Sequence, residues 1–115
     1  MHYLYGIPNC DTVKKARIFL EERNIPHTFV DFKKVPPSSA QLKQWTKAYG
    51  DLPVNKKGQT YRKLGQEFEA LSSSAKITFL IENSSMIKRP ILQQGEEVLA
   101  FGFDQSEYQK KLGVS

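Results

Sequence analysis

Within its first 32 residues the chain reads as strand, turn, helix, turn, strand, and that order restricts the fold more than any other feature. His2 to Gly6 carries the β-formers Tyr3 and Tyr5, and Gly6, Pro8 and Asn9 supply the turn chemistry that ends the run. Val13, Ala16 and Leu20 then recur at helical spacing with Phe19 beside them. Lys14, Lys15, Arg17, Glu21, Glu22 and Arg23 fill the remaining positions, and Asn24 and Pro26 stop the helix. Residues 27–32 predict a second strand. Two strands separated by one helix are most simply parallel, joined by a right-handed crossover.

Residues 33–37, with Pro36 and Pro37, break regular structure. Ser38 with Gln41 three positions on is a capping-box signature, and it predicts a helix with Leu42, Trp45 and Tyr49 on one face, closed by Gly50. The pattern from Asp51 to Asn83 is less regular: a loop over 52–58, short helical turns over 60–64 and 66–71, then a helix through Ile77, Leu80 and Ile81 capped by Ser73 or Ser74. Residues 38–83 are therefore expected to form a helical insertion within one 115-residue domain, too dependent on a sheet to stand alone. Residues 88–92 and 97–101 predict two strands of an antiparallel hairpin turning at Gln94 and Gly95. Asp104 and Glu107 repeat the capping logic for a last helix reaching Leu112 before Gly113. The order β-α-β, helical insertion, β-β-α is that of a thioredoxin-like α/β fold with a small mixed four-stranded sheet.

A chain of this length buries a core without metal or disulfide staples, and its single cysteine admits no internal disulfide. No Cys/His cluster suggests a metal, no apolar run is long enough for a membrane span, and no charged-then-apolar leader precedes the first strand. A reducing, cytoplasmic setting is the expectation. The net charge of +5 is spread over lysines along the whole chain, without an aromatic-rich RNA-binding signature. It reads as a solvated basic surface, and nucleic acid is not an expected partner.

Cys10 lies where the first strand's turn gives way to the helix. Unsatisfied N–H groups and the positive end of the helix dipole there favour thiolate, the reactive form. The gain has a ceiling. Dipole stabilisation of at most about 2 kcal/mol is about 1.5 pKa units, so a larger shift needs a cation as well. Even a pKa lowered by about two units raises attack rate only about threefold, because nucleophilicity falls as the thiolate fraction rises. Positioning of an anionic substrate must contribute more, which suits guanidinium forks. Of four arginines, Arg17 and Arg23 belong to the first helix, leaving Arg62 and Arg89. Arg89 precedes Pro90, where a cis bond in a tight turn is available, and in a thioredoxin-like core that turn faces the cysteine. A Cys-x-x-Cys pair would put its second sulfur at position 13, which is Val13. A redox cycle therefore requires a borrowed thiol, such as glutathione or a glutaredoxin-like partner.

Four motifs occur in order along the chain: Tyr5 to Ala16, Tyr61 to Leu64, Ile87 to Leu92 and Gly102 to Tyr108. Together they resemble the arsenate-reductase-like (ArsC/Spx) family, most closely its YffB branch. The resemblance implies a thioredoxin-like fold with an inserted helical region, a cis bond at Pro90 and Cys10 as nucleophile. In the family's glutathione-dependent arsenate reductases three arginines hold the oxyanion, and the first two match Arg62 and Arg89. Residues 100–104 supply no third, and Gly6 stands where those reductases place a histidine. The YffB branch implies instead a glutathione-dependent thiol reductase. Asn9, Asp11, Thr12, Lys14 and Pro90 are then the expected substrate- and glutathione-binding positions. Glutathione would be a co-substrate rather than a tightly bound cofactor, and the substrate a small anion or disulfide. Two alternatives stay open: an Spx-like module that binds RNA polymerase, although Val13 removes the dithiol switch typical of Spx, and a genuine glutathione/glutaredoxin-dependent arsenate reductase.

Overall fold

The computed structural model describes Met1–Ser115. It contains four strands and five α-helices: β1 (His2–Gly6), α1 (Asp11–Glu22), β2 (His27–Asp31), α2 (Ser39–Tyr49), α3 (Gln59–Glu69), α4 (Ser73–Glu82), β3 (Ile91–Gln94), β4 (Glu97–Phe101) and α5 (Gln105–Leu112), with a 3₁₀ turn at Ser84–Met86. Two compact units result, Met1–Lys34 with Arg89–Ser115, and Val35–Lys88.

The first unit holds the sheet, in the order β2-β1-β3-β4. β1 runs parallel to β2, with Leu4 opposite Phe29, and antiparallel to β3, with Leu4 opposite Leu92. This is the mixed four-stranded sheet of a thioredoxin-like fold. β3 and β4 are joined by a two-residue turn with Gly95 at φ +57° in its first position, where a side chain would be strained. Strand alternation sends Leu4 to one face and Tyr3 and Tyr5 to the other. Leu4 joins Ala16, Phe19 and Leu20 of α1, Leu92 and Leu99 of the hairpin and Tyr108 of α5 in one core. Tyr5 lies between Tyr3 and Phe32, with ring centroids 6.2 and 6.3 Å away. α5 begins at Asp104, whose carboxylate accepts from the Glu107 N–H at 3.1 Å, and ends at Gly113 with φ +65°.

The second unit is helical. α2 opens with a complete capping box: Ser38 Oγ accepts from the Gln41 N–H at 3.1 Å, while Gln41 Oε1 accepts from the Ser38 N–H at 2.9 Å. Gly50 closes α2 at φ +93°. Leu42 and Trp45 are fully buried, but Tyr49, expected on the same face, is exposed, with the Lys88 ammonium 5.8 Å from its ring centroid. The two helical turns expected over 60–64 and 66–71 are one continuous helix, α3. Gly65 does not interrupt it, because the ring of Tyr61 lies against the glycine one turn later. The cap of α4 is Ser72 rather than Ser73 or Ser74, its Oγ accepting from the Ala75 N–H at 3.3 Å. β3 starts at Ile91 instead of 88, since Pro90 has no N–H to give the ladder and Lys88 pairs elsewhere, its N–H donating to the Pro53 carbonyl at 2.8 Å; the Arg89–Pro90 peptide bond is cis. No helix is long and apolar enough to cross a membrane.

Candidate active site

β1 delivers the chain to the site and α1 carries it away. Cys10 is the N-cap of α1, with extended backbone at φ −137° and ψ 125°, and its carbonyl accepts the first helical hydrogen bond, from the Lys14 N–H at 2.9 Å. The side chain is half-buried and unpaired in any disulfide. Its sulfur makes no capping hydrogen bond of ordinary geometry, yet the amides of Val13 and Thr12 lie near enough to favour its ionised form. Burial pushes the thiol up. The Val13 N–H, the hydrogen-bonding and charge of the Arg89 guanidinium, and the Thr12 N–H together outweigh that burial and hold the thiol below its ordinary range. The cation beside the thiol is Arg89.

Packing explains why Arg89 and the first turn of α1 lie near one sulfur. Gly6, at the end of β1, is buried, and a β-carbon there would lie 2.9 Å from Val13 Cγ2 and 3.7 Å from Arg89 Cβ. The bare glycine thus lets the first turn of α1 and the Arg89–Pro90 segment both close on the strand end. Val13 is fully buried against it. Pro90 is buried too, its carbonyl accepting from the Gly102 N–H at 2.8 Å, which ties the cis turn to the residue after β4. A histidine in place of Gly6 would not fit this arrangement without moving Val13.

The structure brings Cys10 and Arg89 together and surrounds them with backbone from Thr12 and Val13. Asn9, Asp11, Thr12 and Lys14 are exposed on the rim at the start of α1, with Asp11 the acidic residue of the first turn. Arg62 belongs to the Val35–Lys88 unit, where it is exposed in the first turn of α3. The remaining two arginines are occupied on aromatic rings, Arg17 4.4 Å from the Phe29 centroid and Arg23 3.7 Å from that of Phe19. Sequence reasoning missed two contributors. Val13 was legible only as the absent second thiol, whereas its amide stabilises the existing one; Gly6 was legible as turn chemistry, whereas a glycine directly before a reactive-cysteine loop also signals close backbone approach. No group of three His, Cys, Asp or Glu side chains converges as a metal site would.

Residues 5–111 match the family model described as the ArsC family. The chain belongs to the ArsC family. Among the relatives, an uncharacterised protein of Haemophilus influenzae is 39% identical over 108 residues, spanning 92% of this chain and 94% of the relative. The solved structure of a YffB protein superposes with a TM-score of 0.85 at 35% identity, covering 97% of this chain and 99% of that one. The global transcriptional regulator Spx of Listeria innocua is 27% identical over 112 residues, 95% of this chain and 85% of the regulator. Cys10 and the segment carrying Arg89 and Pro90 both lie inside the matched range.

Proposed function

We propose that this ArsC-family protein is a glutathione-dependent monothiol reductase with Cys10 as nucleophile. One observation carries the reading: a half-buried thiol, held toward its anion by Arg89 and two helix-start amides, in a chain with no second sulfhydryl. Electrons must then come from outside. The Cys10 thiolate attacks the glutathione sulfur of a glutathionylated substrate, forming a Cys10–glutathione disulfide and expelling the substrate thiolate, which takes a proton from solvent. A second glutathione thiolate attacks the same glutathione sulfur, releasing oxidised glutathione and regenerating the Cys10 thiolate. The substrate gains two electrons, and two glutathione units leave as one disulfide.

Glutathione presents two carboxylates, and planar guanidinium forks suit them. In this reading Arg89 holds one carboxylate beside Cys10. Asn9, Asp11, Thr12 and Lys14 on the rim, with Pro90 beneath, line the peptide. Turnover of a glutathionylated peptide, coupled to glutathione reductase, tests the whole cycle. The wild type should turn over and Cys10→Ser should be inactive; an inactive wild type, or a Cys10→Ser variant that retains the rate, removes the reading. The likeness to Spx supports a second possibility, a regulatory module that binds RNA polymerase. Retention of polymerase in a pull-down with no thiol turnover would favour that module, whereas Val13 denies it an internal dithiol switch.

A further inference from the structure

The Val35–Lys88 unit carries eight basic and four acidic side chains, so it holds +4 of the chain's net +5. Part of that charge is organised. Val54 and Ile87 form an isolated antiparallel bridge, flanked by hydrogen bonds from the Lys88 N–H to the Pro53 carbonyl at 2.8 Å and from the Asn55 N–H to the Met86 carbonyl at 2.7 Å. Immediately after it a turn closes, the Gly58 N–H donating to the Asn55 carbonyl at 3.3 Å, and its two central residues are Lys56 and Lys57. The bridge sets Lys88 opposite Pro53, on the far side of Val54 from the Lys56–Lys57 turn, and the three lysines line one cavity of about 320 Å³ with the exposed ring of Tyr49 and the apolar side chains of Leu52 and Val54.

Two acids of this unit carry hydrogen bonds of their own. Asp51, the cavity's one carboxylate, accepts from the Leu52 N–H at 2.8 Å. Glu69, whose carboxyl feels the charge of Lys56, has one oxygen on the Tyr61 hydroxyl at 2.7 Å and the other on the Lys76 ammonium at 3.3 Å. Three lysines and one carboxylate therefore line the cavity, three positive charges against one negative. Its lining holds lysines and no arginine. Ammonium groups bind phosphate as compact point charges, as a phosphate-loop lysine does. An aromatic face and two aliphatic side chains beside the cations offer a platform for a planar ring.

We propose that this cavity binds a nucleotide-sized phosphate ester, with the phosphates on Lys56, Lys57 and Lys88 and the base against Tyr49. This proposal does not depend on the thiol chemistry proposed above. The test is a titration of the full chain with ADP, pyrophosphate and adenosine at low ionic strength, followed by backbone amide shifts and calorimetry. ADP should bind saturably and perturb the amides of residues 54–58 and 88, with pyrophosphate weaker and adenosine weaker still. Lys56→Gln with Lys88→Gln should weaken ADP about tenfold, equivalent to about 1.4 kcal/mol, while Lys110→Gln with Lys111→Gln in α5 should leave it unchanged. Absence of saturable binding, equal loss in both lysine pairs, or equal affinity for adenosine and ADP would overturn the proposal. So would a single-stranded RNA that binds through the same lysines more tightly than ADP, which would make the face a nucleic-acid groove instead.

Discussion

Gly6 in the sheet unit and Gly65 in the helical unit are both buried, and a β-carbon on either would meet a neighbouring side chain at close range: Val13 Cγ2 at 2.9 Å for Gly6, the Tyr61 ring at 3.0 Å for Gly65. Their neighbours differ in what they can do about it. Val13 is short, β-branched, confined by a helix and fully buried, so it has one comfortable rotamer and nowhere to move. Tyr61 presents the far end of a partly exposed side chain that can swing into solvent. One contact belongs to a site that must hold its geometry. The other belongs to a surface of helical packing, where the same distance is only the resting place of a ring.

The largest effect is therefore expected at Gly6. Gly6→Ala should destabilise the protein by about 1–3 kcal/mol through overpacking, measurable by denaturant unfolding, and should raise the Cys10 thiol by displacing the Val13 amide and the Arg89 segment. Val13→Ala in the Gly6→Ala background should recover part of both losses, since it removes the clashing methyl groups while keeping the amide. Additive losses in the double variant would mean that Gly6 and Val13 do not act on the sulfur together.

Next comes the charge on the sulfur itself. Arg89→Gln removes a cation that favours thiolate, so a more basic solution is needed to ionise Cys10, and the midpoint of iodoacetamide alkylation should move to higher pH. The wild-type midpoint should lie below the ordinary thiol range near ~8.5. Unchanged alkylation in Arg89→Gln would detach Arg89 from the thiol; the same measurement on Arg62→Gln asks whether the second arginine shares that role.

The contrast between the units also describes what could be read in the chain beforehand. In the sheet unit, local signals agree with one another. β1, α1, β4 and α5 fall at their expected positions because turn residues, apolar period and caps coincide, and the Arg89–Pro90 bond is cis. The pairing of Cys10 with Arg89 followed from placing that turn opposite the helix start. In the helical unit the signals compete. Three consecutive serines, Ser72 to Ser74, each qualify as a cap, and only the backbone decides that Ser72 serves. Gly65 resembles a break, but it is room for a ring from the preceding turn, a contact that no window of apolar periodicity contains. Tyr49 keeps helical spacing with Leu42 and Trp45, yet lies on the exposed last turn.

Gly65→Ala tests the helical side of the comparison and should reverse the sign seen at Gly6. Alanine in a helix interior gains about 1 kcal/mol over glycine. Against this stands the displacement of the Tyr61 ring and of its hydrogen bond to Glu69, on a surface where such bonds contribute little. Unchanged or increased stability is expected in thermal unfolding, with Cys10 alkylation unaltered. A loss comparable to that of Gly6→Ala would show that the Tyr61 ring is as confined as Val13.

The smallest effect belongs to that ring's hydroxyl, and its signature is a pH dependence more than a change in stability. Tyr61 donates to Glu69 Oε2 at 2.7 Å and Lys76 reaches Oε1 at 3.3 Å. The Tyr61 hydrogen bond, opposed by slight burial and aided by the Lys76 and Lys56 charges, holds the Glu69 carboxyl below its usual range. The same hydrogen bond, with burial and the Glu69 charge, raises the phenol. The two shifts act at opposite ends of the scale. Glu69's contribution is present above the ordinary carboxylate pKa of ~4.3 and is lost as pH falls through its depressed folded value; Tyr61's is present below ~10 and is lost as pH rises through its elevated one. Tyr61→Phe should therefore remove the Tyr61 share of the alkaline decline and shrink, without abolishing, the acid decline that Lys76 still supports. Paired unfolding series from acid to alkaline pH would read both limbs. Identical profiles in the two proteins would reduce the Tyr61–Glu69 contact to a geometry without consequence, and would leave the ring's seat on Gly65 as the whole of that residue's role in α3.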